Sequence, residues 1–560
     1  MSFPHPKDFQ AVPRRKTEED IRDGYKRIKD IYIPTRDDSV ICCNVYLPLR
    51  DNPEKFPVLL TLGPYGKDIH FSEFGLPHTD MYSNMAKAIE PLGPDACFET
   101  PDPVIWCKDH SYALVRCDVR GSGGSPGVLD PFGIGRTDLI GDDSEGNDAY
   151  DIVQWAGTQE WSNGKVAMCG ISYFGMSCYW AAMHQPPHLA AIVPYEALTD
   201  LYRDKHWFNN IIVPQQYGKI EGLSDEQLFK QHFDYETLAR HWIWRSEGPW
   251  PVFDRTRDLS KIKVPILTAG NWMDSEVHLP GNPTSFERAS SEWKFLEMHT
   301  GNHLAAYYDP VQIERQLKFL DYFLKGKTEN RLEYSPRIDL LIRRGTHYFY
   351  RTERSWPPKD ATYTPLYLAL NETLSFEQYS PSSKNEAITY SGLSGKAFFE
   401  TAPMKENFEI LGYPFLELTV STDAQEMDIF VYFHVIDPEG KKLVFRGNHD
   451  EPAVSFVRSW FRLSHRRLCN TSTSEKPILD QMKPALIEKN EYYDVKIPIP
   501  PTSIIIEPGH RLAIALRASD EEEIIPPMRH VGPDRPENLL SGTNRILLGG
   551  KLIVPVIKRG

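Results

Sequence analysis

Ser172 sits in the stretch Met168-Cys169-Gly170-Ile171-Ser172-Tyr173-Phe174-Gly175. An apolar run precedes it, and a stretch that reads as a buried helix, Met176 to Ala182, follows. A serine on a sharp strand-to-helix turn, with a glycine two residues before it, has the setting of a nucleophile elbow. The turn lifts the hydroxyl above the sheet, and the backbone N–H of Tyr173 can point at a developing oxyanion. The G-x-S-x-G form fails here, because Phe174 stands where the second glycine belongs and Gly175 comes one residue later. A lone G-x-S is weak evidence, and a buried turn serine is its bland reading. The assignment therefore depends on partners elsewhere in the chain.

A serine nucleophile needs a base, and the base needs an orienting carboxylate. In the α/β-hydrolase arrangement these follow the serine in the order acid then histidine, each just past the end of a strand. After Val264–Gly270 comes Asn271-Trp272-Met273-Asp274-Ser275-Glu276, which offers Asp274 as the acid, with Glu276 as the alternative. After Trp293–Met298 comes His299-Thr300-Gly301-Asn302-His303. His299 lies at the strand end, where a satisfied semi-buried histidine is common. His303 lies in the loop, free to reach across, and is the preferred base.

The elements that would carry these residues follow from patterning. Residues 1–30 read as a polar arm followed by a helix. Residues 31–49 read as a hairpin around Arg36-Asp37-Asp38. Apolar runs at 56–62, 111–118, 165–169, 188–194, 264–270 and 293–299 alternate with helical patterns at 142–157, 176–182 and 309–324, which implies a parallel α/β sheet. Residues 67–110 lack periodicity and read as an irregular insertion beside a site. Residues 199–260 are helical in pattern and rich in Trp and Tyr, as a cap over a pocket would be. Beyond about residue 330 short strand patterns separated by turns replace the alternation, so a β-sandwich is expected. The expected division is a catalytic domain over 1–198 and 261–330, a helical cap over 199–260 and a β-domain over 331–560.

Composition narrows the function classes. The 560 residues carry a net charge of −14, which argues against nucleic acid or an anionic membrane as partner. The eight cysteines form no C-x-x-C pair and no metal-ligand spacing, and several lie in apolar runs, as reduced core cysteines do. The start has no signal-peptide pattern and no apolar run reaches membrane-spanning length, so a cytoplasmic protein is expected.

The motifs taken together resemble the CocE/NonD family of acyl hydrolases, which includes cocaine esterase and X-prolyl dipeptidyl-peptidases. Gly170-Ile171-Ser172-Tyr173-Phe174-Gly175 is similar to that family's G-x-S-Y-x-G elbow, in which the glycine falls three after the serine. Asp118 to Gly127 resembles its D-x-R-G-x-G-x-S-x-G loop, Gln159 to Val166 resembles the segment entering the nucleophile strand, and Gly270-Asn271-Trp272-Met273-Asp274 resembles its acid-bearing G-x-W-x-D. Segments at 355–358 and 412–431 resemble its C-terminal jelly roll. The resemblance implies an α/β-hydrolase with a jelly-roll domain and Ser172, Asp274 and His303 as triad. It also implies an oxyanion hole built from the Tyr65 hydroxyl, in Pro64-Tyr65-Gly66-Lys67, and the Tyr173 N–H. The expected substrate is a small ester or amide of apolar or aromatic character, met by Phe174, Trp207, Phe208 and Trp272, with no cofactor and no metal. An acyltransferase on the same triad is the alternative. An X-prolyl aminopeptidase or a non-catalytic binding protein is less favoured, and a homodimer is left open. Gly301 stands where the family carries tryptophan, in its G-P-W-x-H. The pocket wall beside His303 should therefore differ.

Overall fold

The computed structural model describes residues 14–50, 55–73, 89, 92–127, 144–205, 246, 257–275, 277–345, 347–523, 530 and 535–559. Strands β1 (Glu18–Ile21), β2 (Tyr25–Pro34) and β3 (Val40–Pro48) form an antiparallel meander. The 31–49 hairpin is as expected from its turn, but the helix expected before it is strand. The cause is charge pairing across β1 and β2: Glu18 faces Lys29 and Asp20 faces Arg27. Arg27 closes on Asp20 at 2.9 Å. Facing opposite charges stabilise a strand pair that a single-sequence helical pattern does not reveal.

β3 pairs antiparallel with β5 (Ala113–Asp118), and parallel strands follow in the spatial order β5, β4 (Phe56–Gly63), β6 (Ser162–Ile171), β7 (Leu189–Tyr195), β8 (Ile266–Asn271), β9 (Lys294–His299) and β10 (Ile338–Arg344). The central strands β4 and β5 are buried at every position, as a sheet covered on both faces requires. Helices α1 (Ser144–Thr158) and α2 (Ser172–His184) cover one face, together with α3 (Gly281–Arg288), and α4 (Pro310–Leu324) packs on the other. Asp309 caps α4 by accepting the Val311 N–H, with Pro310 in the first turn. The order in which strands are added reverses around β4, since β5 lies on one side of it and β6 on the other. In an open α/β sheet that switch point, at the carboxyl ends of the strands, is where a site forms.

Past β10 the regular elements among the described residues are nearly all strands, with their own buried core of Leu366, Phe399, Ile429, Phe433, Ile514 and neighbours. β10 belongs to both halves: it pairs parallel with β9 and antiparallel with His347–Thr352. The two halves therefore share a core, in which Trp272 and Met298 pack with Leu340, Trp356 and Tyr413. The expected cap at 199–260 lies largely outside the described residues. The insertion at 67–110 carries only short helical turns among its described residues.

Candidate active site

The carboxyl ends of β4, β6, β7, β8 and β9 converge on one buried cluster. Ser172 directly follows β6 and begins α2, with φ of 53°. A non-glycine residue held in the left-handed region at a strand-to-helix junction is the strained elbow that the motif implied. Gly175 explains the spacing of the second glycine. A Cβ there would lie 2.8 Å from both the Ala197 Cβ and the Tyr195 carbonyl oxygen. The first turn of α2 thus presses directly on the end of β7, and the missing side chain is needed at 175 rather than at 174. Phe174 is 4% exposed, with its ring under β4 and 5.8 Å from the Tyr65 ring. The Tyr173 side chain is core, its hydroxyl donating to Glu145, so what Tyr173 offers the site is its backbone N–H at the positive end of α2.

Tyr65 follows β4 and packs against Phe98 at 5.4 Å and Tyr173 at 6.2 Å. Its loop is pinned by a buried charge cluster beneath it. The Lys67 N–H donates to Asp118 at 2.7 Å, and its ammonium reaches Asp30 at 2.7 Å and Asp68 at 2.5 Å. Burial opposes the Lys67 charge, but Asp118, Asp68 and Asp30 outweigh it and hold the pKa up. Burial in turn pushes the Asp118 carboxyl up to about 6. The Asp118 side chain also accepts the Gly124 N–H, tying the glycine-rich loop to the Tyr65 loop.

The expected acid and the expected base differ in where the structure places them. Asp274 sits fully buried after β8, where the strand-end argument puts the acid. The group between it and the serine is His278, not His303. The Ser172 Oγ is 2.9 Å from His278 Nε2, and His278 Nδ1 is 2.5 Å from Asp274 Oδ2. Burial alone would raise the Asp274 carboxyl. The facing His278, with His303 and His449, holds it below the usual carboxylate value instead. The loop bringing His278 round is closed by the Leu279 N–H donating to the Asp274 carbonyl at 3.0 Å.

His303 lies beside this triad with both ring nitrogens engaged elsewhere. Nδ1 is 2.7 Å from Glu196 Oε2 and Nε2 is 3.0 Å from Glu99 Oε1. His299 also points at Glu196, with Nε2 2.8 Å from Oε1. A histidine with a carboxylate on each nitrogen has no lone pair left for a serine proton. Gly301 adopts φ of 94°, and a Cβ there would meet nothing within 4 Å. It is the left-handed turn, with its carbonyl taken by the Asn271 amide at 2.7 Å, that favours glycine over the tryptophan of the resemblance.

Of the other expected substrate contacts, the described one, Trp272, falls outside this cluster. Trp272 is fully buried, donates its indole N–H to the Leu341 carbonyl at 2.7 Å and packs on Trp356 at 5.8 Å. It joins the two halves of the protein instead of lining the site. Trp207, Phe208 and Glu276 lie outside the described residues. Sequence reasoning missed His278, Glu99 and Glu196. The four-residue step from Asp274 to His278 was visible, but it lies in a loop without periodicity. The two glutamates come from separate segments, one before β5 and one just after β7.

Glu196, Asp274, His278 and His303 also bring four metal-capable atoms within 4.8 Å of one another. Each imidazole Nδ1 already faces its own carboxylate, and the His278 and His303 rings stack 13° from parallel with centroids 5.2 Å apart. A single ion on both in-plane lone pairs would require one ring to turn, so the cluster reads as two hydrogen-bonded pairs.

An elbow serine on a central parallel strand, within such a sheet followed by a β-rich half, defines a serine hydrolase of the α/β-hydrolase class. The sequence pattern of the X-Pro dipeptidyl-peptidase (S15) family matches residues 37–242, and that of the X-Pro dipeptidyl-peptidase C-terminal non-catalytic domain matches 330–552. A CocE/NonD family hydrolase from Staphylococcus aureus superposes with a TM-score of 0.84 at 25% identity, covering 100% of this chain and 99% of that one. The cocaine esterase of Rhodococcus sp. is 23% identical across 96% of this chain and 99% of its own. A Xaa-Pro dipeptidyl-peptidase of Ligilactobacillus salivarius is 21% identical across 85% of this chain and 70% of its own. The chain belongs to the CocE/NonD family of serine hydrolases.

Proposed function

We propose that the protein cleaves a small apolar or aromatic ester by a two-step acyl transfer, with Ser172 as nucleophile, His278 as base and Asp274 as the residue that orients the base. The observation that carries this is the continuous pair of contacts, 2.9 Å from Ser172 to His278 and 2.5 Å from His278 to Asp274. His278 Nε2 takes the serine proton as Oγ attacks the carbonyl, while Asp274 holds Nδ1–H and stabilises the imidazolium that forms. The Tyr173 N–H and the Tyr65 hydroxyl receive the oxyanion, a contribution of roughly 3–4 kcal/mol per donor in comparable sites. His278 then gives its proton to the leaving group, and water attacks the acyl-enzyme by the reverse sequence.

The aromatic rings of Tyr65 and Phe98 beside the elbow favour an apolar or aromatic acyl group over a charged one. Cleavage of an X-prolyl peptide would need a carboxylate to receive a free amino terminus. The nearby Glu196 already gives both oxygens to His299 and His303, and Glu99 gives Oε1 to His303, leaving a buried Oε2 without a hydrogen bond among the described residues, which favours esters.

The test is Ser172→Ala, assayed with p-nitrophenyl esters and with a fluorophosphonate probe. Loss of both turnover and labelling, with an unchanged thermal unfolding curve, is expected. Labelling that persists in the variant would overturn the assignment. Adding alcohol or amine acceptors to the wild-type assay separates hydrolysis from acyl transfer, since only the latter makes an acceptor-dependent product.

A further inference from the structure

His278 is held at its edge by two hydrogen bonds, to Ser172 and to Asp274, and these leave the ring free to rock about the line joining them. What lies against its face is the His303 ring, nearly parallel at 5.2 Å. His303 is held in turn by its own partners. Its ring is gripped by Glu196 on one side and Glu99 on the other, and its backbone N–H donates to the Asn448 carbonyl at 2.8 Å. Behind it stands His449, stacked at 6.5 Å and 24°. Three imidazoles thus form a column running from the β-rich half to the nucleophile.

The anchors are independent of one another. Glu99 comes from the irregular segment before β5, and its carbonyl accepts the N–H of Ile171, the residue before the nucleophile, at 3.2 Å. Glu196 follows β7 and also takes His299 Nε2 at the end of β9. Asn448 and His449 belong to the β-rich half.

We propose that His303 is a positioning residue: clamped by Glu99 and Glu196, it serves as a charged plate that fixes the plane of His278. This rests on His278 being the base. With a carboxylate on each nitrogen, His303 carries both ring protons. Burial opposes that charge, but Glu196 and Glu99 outweigh it and hold the pKa well above the usual imidazole value. Burial pushes the Glu99 carboxyl up, against the pull of His303. His449 behind the plate is pushed down to about 3 by burial and adds no second charge. The groups facing the plate are therefore Glu99, Glu196, His278, His449 and, beyond these, Asp274 and His299. The clamp sets a cation against one face of His278 and two anions just beyond it, so removing either kind of charge should move the acid limb of catalysis, in opposite directions.

The experiment compares His303→Asn and Glu99→Gln with the wild-type chain on a p-nitrophenyl ester across pH 5–9. His303→Asn should lower kcat about 10- to 100-fold, with KM changed less than about threefold, and should move the acid limb of kcat/KM to higher pH by about one unit, while fluorophosphonate labelling slows but still reaches full stoichiometry. Glu99→Gln keeps the shape and removes one anion, so its acid limb should move to lower pH. It also carries the test alone if His303→Asn fails to fold. Acid limbs that stay in place in the folded variants would overturn the plate, since a merely structural residue alters stability without moving them. Full labelling in His278→Ala together with none in His303→Asn would give His303 the base's role and overturn the reading beneath.

Discussion

Replacing Asp274 by Asn is the sharpest test of the triad geometry, because it changes charge and hydrogen-bonding character at nearly constant volume. Asp274 is fully buried and accepts from His278 Nδ1 at 2.5 Å. Its other oxygen, Oδ1, takes no hydrogen bond among the described residues. The carboxylate acts in two ways: it fixes the tautomer that leaves Nε2 free for Ser172, and it faces the imidazolium that forms at the transition state. The asparagine amide can present an N–H to Nδ1, which would turn the proton to Nε2 and remove the base. Its lost charge matters as well. Unit charges about 4 Å apart at an effective dielectric constant near 20 attract by about 4 kcal/mol, which corresponds to about a 10³-fold loss in kcat. Steady-state turnover of a p-nitrophenyl ester reads the loss, and differential scanning fluorimetry checks that the melting temperature stays within about 5 °C, a shift of roughly 1–2 kcal/mol for domains of this size. A loss below tenfold with an intact fold would refute the reasoning, because no working pair of Asp274 and His278 tolerates that change so lightly.

Two further outcomes concern stability. Trp272→Phe removes the N–H held by the Leu341 carbonyl and should cost about 1–3 kcal/mol in urea unfolding while leaving KM for the ester within about twofold. A large KM change would return Trp272 to the substrate pocket. In the β-rich half, burial works against the Asp428 carboxylate, but Arg462 and Arg535, at 2.8 Å each, outweigh it and hold it down to about 2. A depressed folded-state pKa gives stability that is full above the unfolded value near 3.8 and is lost as pH falls toward 2. Wild-type protein should therefore lose about 2 kcal/mol more than Asp428→Asn between pH 4 and pH 2, measured by urea unfolding at each pH, and equal losses would contradict the pairing.

Much of the fold was legible because burial leaves a pattern. Runs such as Phe56–Gly63 and Ala113–Asp118 are apolar along their length, since both faces of a parallel sheet are covered, and the change after residue 330 reflects strands that turn back without helices between them. The N-terminal strand leaves no such pattern, because β1 is stabilised by Lys26, Arg27 and Lys29 of β2, which sit against Glu19, Asp20 and Glu18, and not by its own periodicity.

The sequence by itself marked Ser172 and Asp274 as the nucleophile and acid of the proposed mechanism. Ser172 and Asp274 lie at the ends of strands whose hydrophobic runs announce where they stop, and an elbow glycine is a local backbone requirement. The choice of His278 as the base in that mechanism comes only from the tertiary structure. His278, His299 and His303 all lie within reach in sequence, and each is compatible with a strand end or a following loop. The choice among them turns on Glu196 and Glu99, residues from β7's end and from an irregular segment, which take both nitrogens of His303 and leave His278 to face Ser172. No local pattern encodes that exclusion, because it arises from carboxylates about 100 and 200 residues away along the chain competing for the same rings.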